Sequence, residues 1–216
     1  MKARGHRVTV ICNPQGAAYA ERSGLEFAPL GVPEHESGES AVVKEEIAKA
    51  QGLDALKKTI FLASNATRLT IRDLPVLMKQ HKFDAMLIDE ACPGAVAVAR
   101  AHKVPYGILS NALPFLSDPI APPIITCWNP PKTLIGRWRN QIVWFIVIKM
   151  YEIVAGISSI INEYNAMHGM GKVTPEFREQ SGIFRIAQLP NCLDFPRENL
   201  PKHFFYTTPW HKPKRD

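Results

Sequence analysis

Apolar residues along this chain fall into two spacings. Val8 to Cys12 is a β-branched run closed by Asn13-Pro14-Gln15-Gly16, the pattern of a strand buried on both faces and ended by a turn. A second short run, Leu25 to Leu30, stops at Gly31 and Pro33, and the polar stretch Glu34 to Glu39 reads as a loop. From Ser40 to about Gln80 the apolar positions take helical spacing, and Gly52 and Pro75 divide the stretch into two or three predicted helices. Then Ala85 to Asp89, Ala95 to His102 and Val104 to Ser110 read as strand, small-residue helix and strand. Such a run is a βαβ crossover and implies a parallel sheet.

Leu113 to Pro131 holds six prolines and is predicted to be a long irregular loop, the kind that often forms a binding element or lid. Leu134 to about Ile161 is a long apolar segment carrying Trp138, Trp144, Phe145 and Tyr151. Lys149 and Glu152 interrupt it, so it is too short in charge-free length to span a membrane. Two readings stand: a helix buried on most sides, or one lying on a membrane with Arg137 and Arg139 at its start. Phe184 to Leu189 is the last predicted strand, and a proline-broken tail follows it without a further element.

Composition adds exclusions. The chain has 216 residues, 46% hydrophobic and 21% charged, which is the globular norm. Its net charge of +6 comes from scattered basic residues, apart from Lys212, Lys214 and Arg215. With no basic stripe and interleaved aromatics, nucleic acid is not an expected partner. Four cysteines, Cys12, Cys92, Cys127 and Cys192, lie far apart without metal-ligand spacing and read as reduced, buried thiols. No signal-peptide pattern opens the chain, so a cytoplasmic location, with possible membrane association through 134–161, is expected. Glu34-His35-Glu36 could hold a metal or simply be solvated; no metal is expected. Met167 to Val173 resembles a phosphate loop only superficially, because Ala166 and Val173 stand where that motif needs Gly and Ser or Thr.

Asp89 ends its strand, where ligands of open α/β sheets bind, and is a site candidate. Its alternative role is to cap the helix that begins near Pro93.

Three ordered patterns carry a family likeness. Arg4-Gly5-His6-Arg7-Val8-Thr9-Val10 resembles the helix-to-strand junction near the start of nucleotide-sugar-dependent glycosyltransferases of the GT-B fold. Phe83 to Asp89, running on to Ala99 and then Lys103-Val104-Pro105-Tyr106, is similar to that family's strand, acidic turn, helix and strand. Leu193-Asp194-Phe195-Pro196-Arg197, Leu200-Pro201 and Phe205 to Trp210 resemble the stretch closing its amino-terminal domain, most of all in bacterial macrolide and zeaxanthin glucosyltransferases.

The resemblance implies a Rossmann-like α/β acceptor-binding domain with a mainly parallel sheet over residues 1–205, an interdomain linker from 206 to 216, and no first strand or donor domain. It implies that Asp89 matches the acid orienting a catalytic His that this chain lacks, since His6 is the junction His. It also implies that Asn111, Leu113, Phe115 and Trp138 line a pocket for an apolar alcohol, with Trp144 either joining them or lying in the core. No cofactor is implied, because the nucleotide sugar would be a co-substrate bound by a donor domain in cis or in trans. The expected function is the acceptor half of a hexosyltransferase, inactive alone. The alternatives are a non-catalytic subunit of a split glycosyltransferase, or a gene fragment.

Overall fold

A computed structural model describes residues 1–174 and 182–210 of the chain, which packs as two compact units, Met1–Lys82 and Phe83–Asp216. Residues 211–216, most of the expected linker, lie outside the described residues.

In the first unit β1 (Thr9–Cys12) and β2 (Glu26–Pro29) pair in parallel, Thr9 opposite Glu26 and Cys12 opposite Pro29. The crossover is α1 (Ala17–Arg22). β1 is half-buried along its whole length instead of buried on both faces, because among the described residues it has a strand neighbour on one side only. Gly16 permits the turn after it: a Cβ there would stand 2.2 Å from Cys12 Sγ. Burial pushes the Cys12 thiol up from its ordinary value. The other three cysteines are exposed, against the expectation of burial.

The expected polar loop after β2 contains instead a short helix, α2 (Val32–Glu36), entered through Gly31 at φ 65°. What holds it is an ionic clasp. Arg72 donates to both carboxylate oxygens of Glu34 at 2.6 and 3.1 Å and also to Asp73, whose Oδ2 accepts from Gly31 N at 2.8 Å. Glu34 is thereby engaged by a guanidinium, and the described residues hold no group of three or more ligands suited to a metal. α3 (Glu39–Lys49) precedes α4 (Gly52–Gln80), which runs unbroken through Pro75. Proline removes one intrahelical hydrogen bond, yet Leu74 beside it is 1% exposed, and Thr67 and Thr70 are buried with their hydroxyls donating to Ala63 O and Ala66 O. Packing of that face outweighs the lost bond.

The second unit is built on a four-stranded, wholly parallel sheet in the order β3 (Met86–Asp89), β4 (Tyr106–Ser110), β5 (Arg185–Ala187), β6 (Phe204–Tyr206). α5 (Pro93–Ala101) makes the β3 to β4 crossover, and its small side chains Ala95, Ala97, Val98 and Ala99 are buried. A Cβ at Gly107 in β4 would sit 2.3 Å from the Phe184 ring, so the glycine lets that ring lie against the strand. β6 corrects the expectation that the tail forms no element. It is held by a buried cluster: Arg197 donates to Asp194, to Leu116 O and to Pro114 O, and the Tyr206 hydroxyl donates to Asp194 Oδ2 at 2.8 Å. One side chain thus ties the tail to the proline-rich loop.

That loop is irregular, as expected, and has Pro114, Pro122 and Pro123 fully buried. The apolar segment after it is two helices, α6 (Leu134–Ala155) and α7 (Ile157–Met167), separated by Gly156 at φ 58°. Thr133 caps α6 by accepting from Gly136 N. α6 is not buried on most sides. Asn140 and Trp144 anchor it, donating to Pro119 O and Ala121 O, while Leu134, Ile135, Trp138, Ile142, Phe145 and Ile146 are exposed. Among the described residues no helix is long and apolar enough to cross a membrane.

Candidate functional site

The second unit contains a cavity of about 510 Å³ at the carboxyl ends of β3 and β4, lined mainly by apolar side chains. α5 contributes Pro93, Val96, Ala97 and Arg100, α7 contributes Ile157, Ser158 and Ile161, and the segment after β4 contributes Asn111, Ala112, Leu113 and Phe115. This is where an open parallel sheet leaves a crevice, since the strand ends diverge into loops there. α5 can form the wall because its alanines keep bulk away from the opening.

Asp89 and Glu90 leave β3 side by side and take different tasks. The Asp89 carboxylate accepts from Ala91 N at 2.8 Å through Oδ1, which fixes the turn before α5, and from the Asn111 side-chain amide through Oδ2. The N-terminus of α5 itself receives no side-chain cap, so Asp89 holds the turn and faces the cavity and does not cap the helix. Asn111 Oδ1 accepts from Gln188 Nε2 at 2.6 Å, which orients the amide with its nitrogen toward Asp89. Glu90 pairs with Arg185, whose side chain is 5% exposed, and its other oxygen accepts from Phe115 N at 3.3 Å.

Of the residues named from sequence, Asp89, Asn111, Leu113 and Phe115 meet in this one cavity. Phe115 is held by an edge-to-face contact with Trp144, centroids 5.5 Å apart, and Trp144 itself is core at 2% exposure. Trp138 does not join them: it is 71% exposed on α6 and is absent from the cavity wall. Glu90, Arg185 and Gln188 went unseen in the sequence. Glu90 adjoins Asp89 in the same acidic turn, which was a usable signal, whereas Arg185 and Gln188 reach the site only through the pairing of β5 with β4. Among the described residues no histidine lines the cavity.

With its parallel sheets and covering helices, the chain has an α/β fold that matches solved glycosyltransferases of the GT-B fold. The calicheamicin glycosyltransferase superposes with a TM-score of 0.59 at 14% identity, over 99% of this chain and 47% of that one. The glycotransferase of kitacinnamycin gives 0.59 at 16% identity, over 99% and 46%.

In sequence the chain is 27% identical over 210 residues to a zeaxanthin glucosyltransferase of Pantoea ananas, covering 96% of this chain and 47% of that protein. It is 26% identical over 212 residues to that of Pseudescherichia vulneris, covering 95% and 48%. No family model matches the chain. The chain is similar to these glucosyltransferases and spans about half the length of the curated relatives it matches.

Proposed function

We propose that these residues form the acceptor-binding half of a glycosyltransferase that moves a hexose from a nucleotide sugar to an apolar alcohol. The cavity at the ends of β3 and β4 carries the reading: its apolar walls enclose the body of an acceptor, and Asp89 and Asn111 offer polar groups to its hydroxyl. A hydroxylated carotenoid of the zeaxanthin kind suits this chemistry, given the relatives.

Transfer needs a base within about 2.6–3.2 Å of the hydroxyl and a cradle for the departing nucleoside diphosphate. Asp89 is the acid that would hold a histidine in one tautomer and stabilise its imidazolium, the division of labour found in hydrolase triads. The histidine and the donor site come from polypeptide beyond these residues, in the same protein or a separate subunit.

Equilibrium binding of zeaxanthin to the full chain tests this. Saturable binding is expected, weakened at least about tenfold by Leu113→Trp or Val96→Phe, which fill the cavity. No saturable binding, or binding that neither substitution changes, overturns the acceptor role. With UDP-glucose added, no transfer by the chain alone is expected, and turnover above buffer overturns the external base.

A further inference from the structure

We propose that the exposed side of α6 is a docking surface for an anionic lipid bilayer. Six large apolar side chains, Leu134, Ile135, Trp138, Ile142, Phe145 and Ile146, are each 46–83% exposed. At about 100° per residue they fall within a single arc of about 120°, opposite the arc that buries Asn140 and Trp144. Single exposed apolar residues are ordinary, but a contiguous stripe of this size marks an interaction surface.

The charge around the stripe selects the partner. From Pro119 to the end of α6 at Ala155 the chain holds Lys132, Arg137, Arg139 and Lys149 against the single acid Glu152, a basic balance. Arg137 is neutralised by Glu198, from another segment, at 2.9 Å. Arg139 lies over the Trp128 ring at 4.0 Å, and Lys149 reaches 5.9 Å from the Phe145 ring at the far end of the stripe. Apolar and aromatic side chains between cations form the pattern of a helix lying in the headgroup region, its apolar side in the acyl boundary and its cations on lipid phosphates. The loop that anchors α6 adds Ile124 and Ile125, 40% and 67% exposed. What the surface would serve, collection of an apolar alcohol from the bilayer, rests on the proposed function; the docking itself does not.

The test is flotation of the full chain, without acceptor or donor, on phosphatidylcholine vesicles with and without phosphatidylglycerol. Partition is expected to favour the anionic vesicles, to fall as salt rises, and to drop about tenfold or more in Trp138→Ser/Ile142→Ser. Both positions are solvent-exposed, so the variant should melt with the parent, and a melting comparison checks that. As a second readout, brominated lipid should quench the parent's tryptophan emission and leave that of Trp138→Phe largely unquenched. Absence of partition overturns the proposal, as does partition unchanged in the double variant. A parent dimer that the double variant dissociates, with no gain on vesicles, assigns the stripe to a second copy of the chain and also overturns it. Loss of zeaxanthin binding with vesicle docking intact would instead remove only the acceptor reading.

Discussion

Asn111 turns its amide nitrogen to Asp89 and its amide oxygen to Gln188, so the side chain at the end of β4 holds the carboxylate at the end of β3 in one orientation. Replacing that amide by a carboxylate is the most direct probe of the arrangement. Asn111→Asp sets two like charges together in a partly exposed site, costing about 1–2 kcal/mol at neutral pH. One of the two acids then has its folded pKa raised above the unfolded value, so the cost fades as pH falls into the carboxylate range. Asn111→Ala should cost about 1 kcal/mol at every pH. Urea titrations at several pH values distinguish the two, and parallel curves for both variants would refute the contact.

The Glu90 and Arg185 pair is a buried charge pair, and removing one member strands the other. Arg185→Met is expected to lose about 3–5 kcal/mol. Glu90→Gln/Arg185→Met should recover part of that loss, since the amide oxygen still accepts from Phe115 N. A double-mutant cycle in urea measures this, and simple additivity of the two changes would show that the charges are not coupled.

Tyr206 governs the alkaline side. Burial, and then the hydrogen bond to Asp194, raise its hydroxyl well above the ordinary tyrosine range. A raised folded value means that its stabilising contribution is complete below the unfolded value of about 10 and is lost as pH climbs toward the folded one. Tyr206→Phe should lose about 1 kcal/mol at neutral pH and show a flatter alkaline limb. Identical alkaline limbs in parent and variant would contradict this.

On the acid side, hydrogen bonds from Arg72 are the largest cause holding the carboxyls of Glu34 and Asp73 below their usual range, with Gly31 N assisting at Asp73. Lowered folded values stabilise above the unfolded carboxylate range and are lost as pH falls through the folded ones. Arg72→Gln should therefore raise the pH of acid unfolding while leaving the alkaline limb unchanged, as followed by circular dichroism.

The strands and the βαβ unit were legible because apolar runs closed by turn residues report local structure directly. Asp89 could be singled out because it ends a strand that the sequence marks, whereas Asn111, Leu113 and Phe115 entered through the family resemblance. What escaped depends on distant partners. Pro75 signals a break, but the packing of Leu74 and its neighbours carries the helix through. Arg185 looks like any surface arginine until strand pairing brings it to Glu90. Trp138 has the composition of a core or pocket residue, and its exposure is set by the way Asn140 and Trp144 rotate α6. β6 has only three residues, too few for an alternating pattern, and owes its place to the cluster of Arg197, Asp194 and Tyr206.

β3 pairs with β4 along one side, and no described strand lies along the other. Its sequence, Met-Leu-Ile-Asp, carries neither the lysine nor the proline with which edge strands commonly discourage company, and Leu87 is 39% exposed on it. A strand edge without such guards can template pairing with a further strand, so Leu87→Lys is the smallest change expected to make this rim unwelcoming to one.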